Sequence, residues 1–214
     1  MKLGEAGVPT LQASSCVTVF LIECIRCRRK AVSTVLSSYL GCGPEDLPLS
    51  ISPFGKWKLL RPSSEFPIEF SVSSCDRRCL IAVSSGGDVG IDVERRRVIG
   101  DIDGVANIDF TPAEAARISA LQDDRKLGAF FACWTFKEAY TKAIGSGLLM
   151  PFDMFALPPT SWDASRATCA VMQGREWTHF RFEPWPGYTA TLVVAGRLSS
   201  SAFHFTDHYA RECL

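Results

Sequence analysis

The chain has 214 residues, 47% hydrophobic and 21% charged, with 23 Lys and Arg balancing 23 Asp and Glu. That apolar content excludes a disordered chain, and the length allows one large domain or two small ones with a real core. The even charge, which holds in each half of the chain, disfavours a nucleic-acid binder, since such domains carry a basic surplus.

The first fifteen residues read as a loose end. The apolar run Cys16-Val-Thr-Val-Phe-Leu-Ile22 stops at Glu23, too short to span a bilayer and without the flanks of a signal peptide, so it reads as a buried strand. Val32, Val35, Leu36 and Tyr39 recur at helical spacing and predict a helix from Arg28 to Leu40, ended by Gly41-Cys-Gly43-Pro44. Three short strands are expected around Leu49–Ile51, Ile68–Val72 and Cys79–Ser84, broken by Pro53, Pro62 and Pro67. Gly86-Gly87-Asp88 signals a hairpin turn into a strand from Val89 to Glu94. Residues 95–110 are charged and read as a linker.

Thr111-Pro112-Ala-Glu114 offers a capping hydroxyl, a proline at the first helical position and an acid three residues after the cap, which together mark a helix start. A longer helix is expected from Arg125 to Ile144, stopped at Gly145-Ser-Gly147, followed by strands near Thr168–Met172, Trp177–Glu183 and Tyr188–Ala195. The order of helix then strands thus occurs twice.

Nine scattered cysteines, an odd number, read as free thiols in a reducing cytoplasm. Cys24-Ile-Arg-Cys27 and Cys75-Asp-Arg-Arg-Cys79 lack the spacing of a structural zinc site and read as small hydrophobes. His204 and His208 would share a helix face only if the tail were helical, and no serine–histidine–acid order is present.

Chemistry concentrates in two segments. Asp92 and Glu94 are two apart on one strand and leave the same face, while Ile91 and Val93 point the other way into a core. Paired carboxylates repel and call for a cation or a proton; alone they also read as a solvated edge. In Trp134-Thr-Phe-Lys137-Glu138-Ala-Tyr-Thr-Lys142, Trp134, Glu138 and Lys142 share one helical face. A surface ion pair would explain Glu138 and Lys142 but not their place on a tryptophan stripe. Three carboxylates from a strand and a helix suit a hard dication such as Mg²⁺, with a lysine nearby for phosphate.

These two segments, Val89-Gly-Ile-Asp92-Val-Glu94 and Trp134–Lys142, resemble the signature motifs of the Sfp-type 4′-phosphopantetheinyl transferases. Phe54-Gly-Lys56, Phe110-Thr-Pro-Ala-Glu114, Gly145-Ser-Gly147-Leu and Gly187-Tyr-Thr-Ala extend the resemblance over residues 50–195. It implies an α+β protein of two similar lobes related by pseudo-twofold symmetry, residues 1–97 and 98–214, with the active site in the cleft between them. The implied activity is Mg²⁺-dependent transfer of the phosphopantetheine arm of coenzyme A to a serine of an apo-acyl or peptidyl carrier protein, releasing 3′,5′-ADP. By position, Asp92, Glu94 and Glu138 would hold Mg²⁺ and Glu138 would accept the serine proton. Lys142 would neutralise the pyrophosphate, and Lys56 and Lys137 would contact phosphates. A cytoplasmic monomer without membrane or nucleic-acid partners is expected.

The sequence departs from the family where Phe70-Ser-Val-Ser73-Ser74-Cys75 replaces Phe-Asn-Leu-Ser-His-Ser: Ser74 stands for the histidine that contacts the 3′-phosphate of coenzyme A. Ser73 and Ser74 would then face the cofactor, with Arg77 or Arg78 supplying the missing charge. Trp57 stands where a proline commonly follows the Gly-Lys step. The basic run Arg26–Lys30 reads equally as a solvated helix start or a phosphate contact. Arg95–Arg97 would either steer an acidic carrier or form a solvated linker. Two other classes stay open: a different Mg²⁺-dependent phosphotransferase, and a carrier-binding module without turnover.

Overall fold

The computed structural model describes residues 16–23, 27–52, 55–60, 68–162 and 166–207. Ten strands and four α-helices follow in the order β1 (Val17–Ile22), α1 (Arg28–Leu40), β2 (Leu49–Ile51), β3 (Trp57–Leu59), β4 (Glu69–Cys75), β5 (Arg78–Ser84), β6 (Val89–Arg95), α2 (Ile102–Asp109), α3 (Pro112–Ser119), α4 (Asp123–Ile144), β7 (Thr168–Met172), β8 (Arg175–Phe182), β9 (Tyr188–Ala195) and β10 (Phe203–Asp207). No described helix is long and apolar enough to cross a membrane.

Two four-stranded sheets carry the fold, ordered β10-β1-β5-β4 and β6-β9-β8-β7, with β2 and β3 forming a separate two-stranded hairpin. Strand alternation sorts their side chains cleanly. Val17, Val19, Leu80 and Ala82 of the first sheet meet Val89, Ile91, Val93 and Leu192 of the second in a shared apolar layer. The opposite face of the first sheet, with Phe20, Ile22, Phe70 and Ile81, is covered by Val32, Val35 and Leu36 of α1. The opposite face of the second, with Trp177, Val193 and Ala195, is covered by Phe136, Ala139, Tyr140 and Ala143 of α4. Burial on both faces explains why β5 reads as a near-continuous apolar run, whereas β6 alternates, with Asp92 and Glu94 opposite Ile91 and Val93.

The helix ends follow their sequence signals. Gly41 and Gly145 close α1 and α4 in the left-handed conformation, at φ 63° and 74°. Thr111 and Glu114 form a reciprocal capping box at α3, with Pro112 inside the first turn. Gly90 is required for a different reason. A Cβ there would lie 1.9 Å from the Ala139 carbonyl oxygen, so α4 rests on β6 only because this residue has no side chain.

Two expectations need correction. Gly86-Gly87-Asp88 does not close a hairpin: both edges of β5 are taken by β1 and β4, so β6 crosses to the second sheet and pairs with β9. The linker assigned to 95–110 contains α2, capped by the Asp101 carboxylate accepting from Gly104 N at 2.8 Å. Ile102 and Val105 pack that helix on the α4 core. Within the two sheets, β6 pairs with β9, and β10 returns to pair in parallel with β1. His204 lies on this strand and not on a helix; His208 lies outside the described residues, as do Cys24, Arg26 and Phe54.

Candidate active site

The site forms where two sheet edges and one helix meet. β4 and β6 are edge strands of different sheets, and β6 turns toward β4 the amides that β9 does not use. These amides donate to side chains: Ile91 N to Ser71 Oγ at 3.1 Å, Val93 N to Ser73 Oγ at 3.3 Å, and Arg95 N to Cys75 Sγ at 3.4 Å. Edge amides buried without partners would cost about 1–3 kcal/mol each, so the ladder both seals the seam and fixes its register.

Over this seam lies α4, held close by Gly90 and tied to β9 by the 2.8 Å Thr135–Thr191 hydroxyl contact. Asp92 is buried. Its Oδ1 accepts from Lys142 Nζ at 2.6 Å and from Ser73 Oγ at 2.9 Å, while its Oδ2 is buried with no hydrogen-bond partner. Glu94, two residues on, accepts from Cys75 Sγ at 3.8 Å and pairs with Arg97 at 3.3 Å. Burial, then the charge of Asp92, pushes the Glu94 carboxyl above the ordinary range. Glu138 is pushed up in the same way, first by burial and then by Asp92, and among the described residues its carboxylate has no hydrogen-bond partner. Asp92, Glu94 and Glu138 thus lie near enough for their charges to oppose one another.

Lys56 reaches the same region from the β2–β3 hairpin, where its Nζ donates to the Ala143 carbonyl at 3.3 Å. Burial lowers its pKa, and Glu69 and Asp88 partly restore it. It lines one cleft with Trp57, Glu138, Thr141 and Lys142. Two amines and a carboxylate thus share a concave surface beside the Asp92–Glu94 pair.

Other expected site residues are placed elsewhere. Lys137 is fully buried on the far side of α4, paired with Glu114 at 2.9 Å and donating to the carbonyls of Phe152 and Phe155, so it has no route to a phosphate in this cleft. A helical step of five residues from Lys137 to Lys142 turns the two amines to different faces. Ser73 joins the site, but its hydroxyl accepts from Val93 N and Lys142 Nζ and donates to Asp92, which uses its full capacity. Ser74 points to the opposite face of β4, the side of Phe70 and Val72 that packs under α1.

Of the two candidate replacements for the missing charge, Arg78 is committed. Arg78 pairs with Glu23 at 3.4 Å and lies 4.6 Å over the Tyr188 ring, while Arg77 is exposed at the β4–β5 turn. Arg95, Arg96 and Arg97 form ion pairs with Asp76, Glu183 and Glu94, and Arg95 and Arg97 remain exposed. Arg28, Arg29 and Lys30 form the exposed first turn of α1. All seven described cysteines are free.

The donor set fits a hard divalent cation: its atoms are carboxylate oxygens, one is a buried oxygen without a partner, and two of the acids resist ionisation where they stand. Among the described residues no three His, Cys, Asp or Glu side chains are yet gathered tightly enough to enclose an ion, and the cation on Asp92 is the Lys142 ammonium.

Comparison with known proteins bears on this geometry directly. The profile of the 4′-phosphopantetheinyl transferase superfamily matches residues 88–195. The chain is 30% identical over 169 residues to the 4′-phosphopantetheinyl transferase HetI of Nostoc sp., an alignment covering 78% of this chain and 69% of that protein. It belongs to the 4′-phosphopantetheinyl transferase superfamily. The transferase gsp of Aneurinibacillus migulanus is 35% identical over 103 residues, 48% of this chain and 42% of that one. The 4′-phosphopantetheinyl transferase of Bacillus subtilis is 29% identical over 126 residues, covering 59% and 54%. The chain thus spans about half the length of these last two relatives. The superfamily match contains Asp92, Glu94, Glu138 and Lys142 and leaves Lys56, Ser73 and Ser74 outside it.

Sequence reasoning missed Gly90, the Ser71–Ser73–Cys75 ladder and the Glu114–Lys137 pair. Alternating small polar residues on β4 were a visible signal for the ladder, but their partner strand was not.

Proposed function

We propose that this protein transfers the 4′-phosphopantetheine arm of coenzyme A to a serine of an apo-acyl or peptidyl carrier protein, with Mg²⁺, releasing 3′,5′-ADP. The observation that carries the reading is the Asp92, Glu94, Glu138 and Lys142 cluster, with one buried oxygen of Asp92 unpartnered, in a chain of this superfamily. Asp92, Glu94 and Glu138 would hold the Mg²⁺, which when bound supplies charge neutralisation at the pyrophosphate.

Glu138 is suited to accept the serine proton. Burial and neighbouring acids raise its affinity for a proton, and no hydrogen bond competes for its oxygens among the described residues. Lys142, once drawn from Asp92 toward a phosphate, would offset the charge that develops as the pyrophosphate bond breaks. Lys56 stands at the opposite side of the same cleft, where it would hold a second phosphate. Both amines act by position and charge, the main resources of phosphoryl transfer.

A groove lined by Arg96, Arg117, Arg125 and Arg181 with Trp162 lies beyond Glu94, since Thr189 in its wall pairs with Glu94 across the sheet. Its basic lining supports an acidic carrier partner. The two sheets, each backed by one helix, support a reading as two lobes related by pseudo-twofold symmetry, and the free cysteines suit a reducing cytoplasm.

Incubation of the protein with coenzyme A, Mg²⁺ and a panel of apo-carrier proteins tests the proposal. A gain of one phosphopantetheine mass on a carrier is expected. Carrier binding without any mass gain across the panel would contradict it.

A further inference from the structure

The ladder between β4 and β6 does more than join two sheet edges. Its three rungs are alike toward β6: Ser71, Ser73 and Cys75 each accept one backbone amide, from Ile91, Val93 and Arg95. They differ in where their protons go. Ser73 Oγ donates to Asp92 Oδ1 at 2.9 Å, and Cys75 Sγ reaches Glu94 Oε2 at 3.8 Å, whereas Ser71 has no carboxylate partner.

From this difference we infer that Ser73 and Cys75 are positioning residues, each orienting one carboxylate of the proposed metal pair. The inference rests on the reading of Asp92 and Glu94 as metal ligands. Each rung grips the backbone of one residue and the side chain of its neighbour: Val93 N with Asp92 for Ser73, and Arg95 N with Glu94 for Cys75. Backbone and carboxylate are fixed together relative to β4, so the sheet that carries neither carboxylate sets the aim of both. Ser73 binds Asp92 through Oδ1 and leaves Oδ2 without a partner, the arrangement expected when one oxygen is anchored and the other is reserved for an incoming cation. Glu94 Oε2 is steadied from two sides, by Cys75 and by Arg97. Ser73 also accepts from Lys142 Nζ at 3.2 Å, which keeps that amine beside Asp92 until a phosphate draws it away.

The seam contains its own control. Ser71 lines the cleft of Lys56 and Lys142 but hydrogen-bonds no carboxylate, so Ser71→Ala removes only an amide acceptor of the same kind and should lower the melting temperature much as Ser73→Ala does. The test is Mn²⁺ titration of the full chain, read from the electron paramagnetic resonance of the free ion, together with the Mn²⁺ dependence of transfer. Ser73→Ala and Cys75→Ala should weaken Mn²⁺ binding by about 10- to 100-fold, the usual effect of removing a partner behind a metal ligand. Ser71→Ala should leave Mn²⁺ affinity unchanged, and Cys75→Ser, which keeps a donor in place, should restore it.

Equal weakening by all three alanine variants, or none by Ser73→Ala and Cys75→Ala, would overturn the assignment while the metal reading stands. Failure of the unaltered protein to bind Mn²⁺ would overturn both. If Ser73→Ala does not fold, the half-buried Cys75 pair of variants decides the matter alone.

Discussion

Two lysines of α4, five residues apart, each pair with an acid from another element, and the two pairs have opposite natures. Lys137 and Glu114 are sealed in the helical layer, where Glu114 also accepts from the Thr111 backbone at 2.9 Å and Leu157 N at 2.6 Å, and Lys137 donates to two carbonyls. Every strong hydrogen-bonding group of that pair is answered from within the fold. Lys142 and Asp92 lie at the seam, with the lysine side chain 27% exposed and one Asp92 oxygen buried without a partner. The first pair is complete and serves structure. The second is incomplete in the way a ligand would complete it.

The titration directions follow the same line. Opposite charge and hydrogen bonds outweigh burial at Glu114 and hold its carboxyl below the ordinary range. Burial and like charges hold Glu94 and Glu138 above it. One carboxylate is therefore stabilised by folding, and the other two are strained by it.

The largest effect expected from this contrast is at Glu138. Glu138→Gln should reduce transfer by about 10²- to 10⁴-fold, the usual worth of a positioned base. It should also raise the melting temperature, by about 2–4 °C if the relief amounts to ~1 kcal/mol, because a strained carboxylate is removed. Calorimetry and single-turnover transfer on the same sample check both halves; a lowered melting temperature would place Glu138 with the structural pair.

Lys137→Met should do the reverse. Leaving Glu114 buried and unpaired costs ~3–5 kcal/mol, read by chemical denaturation, while the folded fraction keeps its Michaelis constant for coenzyme A. A large rise in that constant would return Lys137 to the phosphate-binding set.

Gly90→Ala links the two regions, since the added methyl group meets the Ala139 carbonyl and must lift α4 from β6. A loss of about 1–3 kcal/mol is expected, together with a fall in kcat as Glu138 and Lys142 move away from Asp92. Retained kcat would mean that the register of α4 on β6 is not needed for the chemistry.

The smallest effect is in pH dependence. Glu114 has a depressed folded pKa, so its contribution is present above the unfolded value near ~4.3 and is lost as pH falls through the folded one. Glu94 and Glu138 have raised values, so their strain is relieved as pH falls through those values. Burial lowers the His179 pKa to about 4, so acidification costs stability from its unfolded value near ~6.5 downward. The Glu114 contribution adds a further loss below about pH 4.3, and Glu114→Gln should flatten that lower limb in denaturation midpoints measured across acidic pH.

Much of this was legible in the sequence. Periodicity located α1 and α4, and glycine placed their ends within a residue or two. The Thr111–Glu114 capping box could be read directly, because its physics is local. Asp92, Glu94, Glu138 and Lys142 were legible as spacing on one strand and one helix. What escaped were relations between distant segments. The glycine turn after β5 looked like a hairpin because nothing local reveals that both edges of β5 are already occupied. Its place in the family motif assigns Lys137 to phosphate, yet it and its neighbour Glu138 point about 100° apart on the helix. The family motif likewise assigns Ser73 to the cofactor by its place, and its hydrogen bonds to β6 and α4, 19, 20 and 69 residues away, are not visible in sequence.

The central claim is that the seam at Asp92, and not the sealed pair at Lys137, performs the transfer. It is tested most directly by mass spectrometry of an accepted apo-carrier incubated with coenzyme A, Mg²⁺ and either Glu138→Ala or the unaltered protein. The unaltered protein should add one phosphopantetheine arm and Glu138→Ala none in the same interval. Modification by folded Glu138→Ala at the unaltered rate would contradict the account.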